Sequence, residues 1–272
     1  MKFSLKRKKA FWAAVWAVCC LAAVGVMLWA VNKPAVGCTQ EDLNWAPALQ
    51  VASNSTQEEG APPVEKRVFL TFDDGPSPTT EMVLDVLKEK GVPATFFVIA
   101  AENNEKYLPL IQREVEEGHQ VALHSCTHSY KSIYSSTTAF WADIKALKEK
   151  ISPYVEAESL RCLRFPGGST NTVSRKYGGS SIMKSLKAQA KEKGYSYVDW
   201  NVCANDAIGG HPSAEKVYEN VIKSVGDKNT CVVLMHDTKA TKSTAEALPD
   251  IIDWFLEKGY RFCRIDELDQ QI

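Results

Sequence analysis

The sequence predicts an α/β fold, a sheet of parallel strands alternating with helices and curled towards a barrel. Three observations point that way. Seven short apolar runs lie near 68–72, 95–99, 121–124, 161–165, 195–199, 231–236 and 261–265. Helical stretches between them end in a repeated stop, Glu89-Lys-Gly91, Glu116-Glu-Gly118, Glu192-Lys-Gly194 and Glu257-Lys-Gly259, each followed within a few residues by a strand. Glycine just past a helix supplies the left-handed cap, and helix, glycine, strand in repetition signals consecutive βα units. Finally, five of the seven runs end in residues that can bind a metal or move a proton. Chemistry collected at the carboxyl ends of parallel strands is how such folds build active sites.

From the N-terminus, residues 1–32 form a basic tip and an apolar span. Lys2, Lys6, Arg7, Lys8 and Lys9 precede any acid, and Phe11 to Val31 carry no charge over 21 residues. As a helix at ~1.5 Å per residue this stretch reaches about 31 Å, enough to cross a hydrocarbon core. Trp12, Trp16 and Trp29 lie towards its ends, where aromatic belts form. The expectation is a single-pass signal anchor in the cell membrane with everything after it outside. A cleaved signal peptide and secretion is the alternative; its apolar region is usually shorter and followed by a small-x-small site. Residues 33–65, with Pro34, Pro47, Pro62 and Pro63 and no sustained periodicity, read as an extracellular linker. Of the eight cysteines, six follow the span; export permits disulfides, but no C-x-x-C pair suggests a zinc knuckle or redox site. Net charge is −1, so nothing suggests a nucleic-acid partner.

Residues 66–272 then hold one catalytic domain. Several strand candidates are continuous apolar runs, as strands covered on both faces should be. Val83, Leu84 and Leu87 share one helix face and Val217, Val221 and Val225 another; these stripes pack the core. Ser243-Thr-Ala-Glu246 has capping-box spacing, and Pro249 interrupts the segment that follows, so the last helix is expected to start late or kink.

The first strand runs into Asp73-Asp74-Gly75-Pro76. A polar turn accounts for part of this. Two adjacent acids after a buried strand also point in different directions, so one can bind a metal while the other takes a proton. His124 and His128, four apart at the exit of the third strand, can face one point. With one carboxylate they make a three-ligand set that leaves a position open for water. Arg164 closes the fourth strand as a cation able to hold a carboxylate ionised. Gly167-Gly168 beside it lets backbone approach a ligand. Asp199 and His236 stand at two further strand exits, and an aspartate bonded to an imidazole favours its protonated form. His119 and His211 sit beside glycines and read as structural or surface residues.

Taken together, Thr71-Phe-Asp-Asp-Gly-Pro76, His124-Ser-Cys-Thr-His128, Arg164-Phe-Pro166, Asp199-Trp200 and Leu234-Met-His236 resemble the five motifs of the polysaccharide deacetylases. That family is carbohydrate esterase family 4, with the nodulation-protein-B homology domain. The resemblance implies a distorted (β/α)7 barrel and metal-dependent hydrolysis of N-acetyl groups on sugars, with zinc the first candidate for the divalent metal. It assigns Asp73 as base, Asp74, His124 and His128 as metal ligands, and Arg164 to orient Asp73. Asp199 would tune His236, the acid that protonates the leaving amine. Leu234 and Trp200 would border the acetate pocket. Gly167 stands where the family often has tyrosine, which keeps a backbone oxyanion donor but removes a ring that lines the sugar. The loop 169–179 is expected to form part of the substrate groove instead. An anchored enzyme would meet the adjacent wall, so peptidoglycan N-acetylglucosamine is the first substrate. Chitooligosaccharides or acetylxylan follow, and an inactive surface glycan-binding protein is the alternative from another class.

Overall fold

A computed structural model of the chain describes residues 65–268. The expected membrane span and nearly all of the linker lie outside them; among the described residues no helix is long and apolar enough to cross a membrane.

Strand β1 (Arg67–Asp73) is followed by α1 (Pro78–Lys90), β2 (Thr95–Ile99), α2 (Leu110–Glu116) and β3 (Gln120–Ser125). Next come α3 (Tyr130–Ile133), α4 (Thr137–Ile151), β4 (Cys162–Leu163), α5 (Arg175–Gly178) and α6 (Ile182–Glu192). Two short strands, β5 (Ser196–Tyr197) and β6 (Val202–Cys203), precede α7 (Ala214–Val225), β7 (Thr230–His236), α8 (Lys242–Glu257) and β8 (Arg261–Phe262). Every pairing between strands is parallel. The spatial order is β5-β4-β3-β2-β1-β7-β6, with β8 beside β1.

The two edges of this order, β5 and β6, are separated in the chain only by residues 198–201. Val198 N–H still bonds Leu163 C=O beyond β4, and Asn201 N–H already bonds Val232 C=O of β7. One extended stretch therefore leaves one edge of the sheet and joins the other, as expected of a sheet curling towards closure. The single fifth strand anticipated at 195–199 is in fact two pieces of this stretch. The architecture is a parallel α/β sheet consistent with a (β/α)7 barrel.

All four predicted helix-stop glycines, Gly91, Gly118, Gly194 and Gly259, have positive φ, where a side chain would be strained. The last helix departs from expectation. It starts at Lys242 after Thr241 and continues through Pro249, so Ser243 is no N-cap.

Alternation along the strands separates two apolar clusters. Val68, Leu70 and Phe72 of β1 pack with Val83, Leu84 and Leu87 of α1 in the layer between sheet and helices. Phe69 belongs to a second, interior cluster with Phe97, Ala122, Trp200, Val232 and Leu234. With a period of two, Thr71 and Asp73 share the face of Phe69, His124 that of Ala122, and His236 that of Val232 and Leu234. The same periodicity that buries the interior cluster thus turns the polar residues at the strand ends onto the inner face of the curled sheet, at its carboxyl end.

One buried charge does not fit this economy. Glu114 of α2 is fully buried, and neither carboxylate oxygen has a hydrogen-bond partner. Burial, with Asp237 adding to it, raises its pKa well above 4.5. The unfolded chain therefore loses this proton first, and stability falls as pH climbs from about 4.5 towards the folded pKa. Glu114→Met is expected to stabilise the protein at neutral pH by about 1–3 kcal/mol, the usual cost of an unsatisfied buried group. Urea unfolding at pH 5 and pH 8 checks this: the gain should be larger at pH 8.

Candidate active site

Asp73 ends β1 and His236 ends β7, and the parallel register makes them direct neighbours. Asp74 follows with φ 71, and His128 has φ 50. Positive φ at two non-glycine residues of one site is a strained conformation held by its surroundings. The surroundings are identifiable. Asn104 Nδ2 donates to the carbonyls of Asp74 and Pro76, each at 3.0 Å. Around His128 the organiser is Asp143 of α4, whose carboxylate accepts from Ser125 Oγ, Cys126 N, Thr127 N and Thr127 Oγ1. Ser125 Oγ in turn accepts from His128 N–H at 2.8 Å.

The result is a convergent trio. Asp74 Oδ1 lies 3.5 Å from His124 Nε2 and 3.3 Å from His128 Nε2. One ligand atom from each residue lies within 4.8 Å of the others. Tetrahedral coordination at ~2.0–2.2 Å places ligand atoms about 3.3–3.6 Å apart, so the spacing fits a bound cation. Asp74 Oδ1 is also buried without a hydrogen bond, as a metal ligand would be. His124 Nδ1 sits 2.7 Å from Arg164 C=O; donation there leaves the Nε2 lone pair facing the trio. Burial, despite Asp74, lowers the His124 pKa to about 3, so the ring is neutral, as ligation requires.

Asp73 lies beside the trio, with Oδ2 3.8 Å from His124 Nε2. Its Oδ1 accepts from Arg164 Nη1 at 2.8 Å. Arg164 is fully buried and also donates to Thr71 Oγ1 and to the carbonyls of Val198 and Asp199. The guanidinium carbon stands 4.1 Å from the centroid of Phe97. Burial raises the Asp73 pKa, and the Arg164 charge opposes this only in part. Arg164 thus orients the carboxylate, while desolvation makes it a stronger base than an exposed aspartate.

The expected partnership of Asp199 with His236 is incorrect. Asp199 accepts instead from Ser169 N at 2.8 Å and Ser169 Oγ at 2.6 Å. His236 Nδ1 lies 2.8 Å from Oδ1 of Asp206. The other Asp206 oxygen accepts from His236 N–H and from Thr244 Oγ1, each at 2.7 Å. Burial works against the charged ring, but Asp206 outweighs it and, with Asp74 and Asp73, raises the His236 pKa to about 10. Asp206 itself is held below its ordinary range: the His236 charge overcomes the effect of burial. Asp206 was missed because it lies beyond β6, the half of the split strand that the sequence did not reveal. An acid a few residues after a short apolar run was the available signal. Asp237 was likewise unassigned. It is buried, donates its N–H to Asp73 C=O, and accepts from Thr80 Oγ1 at 2.5 Å.

Gly167 and Gly168 form the turn after β4, with Trp200 against Gly168. Leu234 belongs to the interior cluster with Trp200. A groove of about 1030 Å³ opens from Asp74 and His128 towards Glu102, Tyr107 and Lys239. The 169–179 loop does not line it; Asn171 and Ser174 of that loop are buried and hydrogen-bonded to each other. His119 is structural, as read: it is buried and its Nδ1 accepts from Ala94 N–H.

A parallel α/β scaffold with a two-histidine, one-aspartate trio flanked by a second aspartate and a histidine defines a hydrolase. Comparison with known proteins identifies which kind. The Polysaccharide deacetylase family matches residues 60–197, and the chain belongs to that family. A peptidoglycan-N-acetylglucosamine deacetylase of Bacillus cereus is 33% identical over 207 residues, 75% of this chain and 88% of that protein. YheN of Bacillus subtilis is 32% identical over 205 residues, 73% of this chain and 66% of that protein. Among solved structures, the catalytic domain of a peptidoglycan N-acetylglucosamine deacetylase from Eubacterium rectale is 39% identical, with a TM-score of 0.70, covering 75% of this chain and 90% of that one. The protein is therefore a hydrolase that deacetylates polysaccharide.

Proposed function

We propose that this chain is a metal-dependent deacetylase of N-acetylglucosamine units in peptidoglycan, built on a distorted (β/α)7 barrel. In this reading the segment 1–32 anchors it in the membrane with the catalytic domain outside. The observation that carries the proposal is the convergence of Asp74, His124 and His128 at 3.3–3.5 Å with Asp73 and His236 alongside. The names of relatives in Bacillus cereus and Eubacterium rectale support the substrate.

A divalent cation held by the trio, zinc in our reading, would polarise the acyl oxygen and acidify a water. Asp73 accepts the proton from that water as its oxygen adds to the acyl carbon. Arg164 holds the Asp73 carboxylate in line. The Gly167 amide, which makes no backbone hydrogen bond among the described residues, donates to the developing oxyanion. His236, kept protonated by Asp206, gives its proton to the amide nitrogen. The C–N bond then breaks, leaving acetate and a free amine on the sugar. Leu234 and Trp200 wall the space for the acetyl methyl, and Asp199 holds the glycine turn through Ser169.

Acetate release from peptidoglycan, chitooligosaccharides and acetylxylan, with and without a chelator, tests this. Release should be fastest from peptidoglycan, vanish on chelation and return with added metal. His128→Ala should lack both bound metal and activity. Release that persists after the metal is stripped would remove the metal from the mechanism; faster release from another glycan would reassign the substrate.

A further inference from the structure

The two imidazoles of the trio are held in different ways. His124 belongs to β3, and its ring is fixed a second time by Nδ1 against Arg164 C=O at 2.7 Å. His128 belongs to no strand or helix. Apart from the approach of Nε2 to Asp74, its ring makes no hydrogen bond among the described residues. Its side chain is 28% exposed, against 3% for His124. A histidine that binds a metal is usually oriented by a partner on its other ring nitrogen. With no such protein partner, the place of the His128 ring depends on its backbone, which lies at φ 50, a region few residues other than glycine adopt.

That backbone is set from α4. Asp143 Oδ2 accepts from Ser125 Oγ and from Cys126 N, each at 2.7 Å. Its Oδ1 accepts from Thr127 Oγ1 at 2.7 Å and from Thr127 N at 3.1 Å. A carboxylate only accepts, so Ser125 gives its one hydroxyl proton to Asp143. The Ser125 lone pairs are then left to accept, and one takes the His128 N–H at 2.8 Å. The direction of this relay is thus fixed by the carboxylate. The helix itself has no need of it. Aspartate in a helix interior is unfavourable, and α4 is already capped by Ser136, whose hydroxyl accepts from Ala139 N–H. Every hydrogen bond to the Asp143 side chain comes from residues 125–127. An acid turned wholly towards the segment that joins two candidate ligands serves those ligands.

We propose that Asp143 is a positioning residue that sets the affinity of the trio for its cation, by holding His128 in ligating geometry through Ser125 and the backbone of residues 126–127. This rests on the metal reading above and assigns part of the metal affinity to a group that touches no metal. Asparagine at 143 offers one acceptor and one donor. Either the Ser125–Cys126 pair or the Thr127 pair then faces an NH₂ group, and the loop has to move. A displaced His128 leaves the cation with two firm ligands.

The test is the dissociation constant for Zn²⁺, measured by competition with a chromophoric chelator. In Asp143→Asn it should rise about 10- to 100-fold, the usual loss for an outer partner of a metal ligand. The visible spectrum of the Co²⁺-loaded variant should differ from that of Co²⁺-loaded wild type, because the ligand geometry has changed. Ser125→Ala breaks the last link of the same relay and should weaken Zn²⁺ binding in the same range. The double variant should lose less than the product of the two single losses, since both cut one chain of bonds. Ser136→Ala separates positioning from general loosening. It removes the cap of α4, so it should lower the unfolding midpoint and leave Zn²⁺ affinity as in wild type. Asp143→Asn binding Zn²⁺ within about threefold of wild type overturns the proposal, as does an equal loss in Ser136→Ala. If Asp143→Asn does not fold, Ser125→Ala decides: unchanged affinity there overturns the proposal, and a weakened one supports it. If wild type itself binds neither Zn²⁺ nor Co²⁺, the metal reading fails first, and no variant is needed to see it.

Discussion

Asp73→Asn is expected to lower kcat about 10²- to 10⁴-fold, the range for loss of a general base, with the fold retained. The carboxylate is buried beside the trio, and its one side-chain hydrogen-bond donor among the described residues is Arg164 at 2.8 Å. Asparagine keeps an oxygen to accept that bond but has no basicity. Arg164 keeps Thr71 and two backbone carbonyls as partners, so the interior of the sheet still holds together. It does lose its buried counter-ion, and removing one member of such a pair is destabilising by several kcal/mol in the general case, about 3–5 when the partner is deleted outright. A lower unfolding midpoint with native circular dichroism and undiminished metal content is therefore part of the expectation. The informative comparison is with the metal ligands: His128→Ala should lose the ion, Asp73→Asn should not. If Asp73→Asn turned over glycan within a few-fold of wild type, the base would have to be another group.

That the two acids of Asp73-Asp74 do different things was legible in the sequence for a physical reason. A strand of period two points successive residues to opposite faces. The strand is apolar on both faces, so it is the structure that shows Asp73 on the inner face with Phe69 and Asp74 on the turn. The sequence placed His124 and His236 only as strand exits; the structure then shows each in step with apolar neighbours of its own strand. His128 depended on a loop, and the sequence supplied only its spacing. The reason the loop holds, Asp143, comes from a helix fifteen residues further on. The least legible part was the fifth strand. Its pairing breaks at 198–201 because the chain changes partners from β4 to β7 there, and a change of partner leaves no mark in hydropathy. Asp206, just beyond the break, drew no assignment from the sequence. Asp199, at the break itself, was given the work that Asp206 does.

Asp206→Asn is expected to be the variant that separates these two aspartates. The site needs His236 charged when the amine leaves, so activity requires the proton on the ring. An acid of this kind is lost as pH rises through its pKa. With Asp206 present that pKa is raised to about 10, so the ring is protonated across the neutral range. Asparagine removes the negative charge that does most to raise it, so the alkaline limb of the kcat profile should move to lower pH. Geometry adds a second loss. Asp206 accepts from Nδ1 with one oxygen and from the His236 backbone N–H with the other. An asparagine has one acceptor and one donor for the same two positions. Either its NH₂ faces the backbone N–H, leaving a buried donor unpaired, or it faces Nδ1 and favours the neutral tautomer with the proton on Nε2. The lost charge in either orientation, and the tautomer in the second, deplete the imidazolium, and kcat at pH 8 should fall about 10²-fold or more, within the span of general-acid effects. The deficit should shrink as pH is lowered towards 6, where the ring can charge without help. Asp199→Asn should disturb the Ser169 contact yet leave the alkaline limb where it is. If the limb moved with Asp199 and stayed with Asp206, the hydrogen bond that the structure draws to His236 would not be the one that governs its proton.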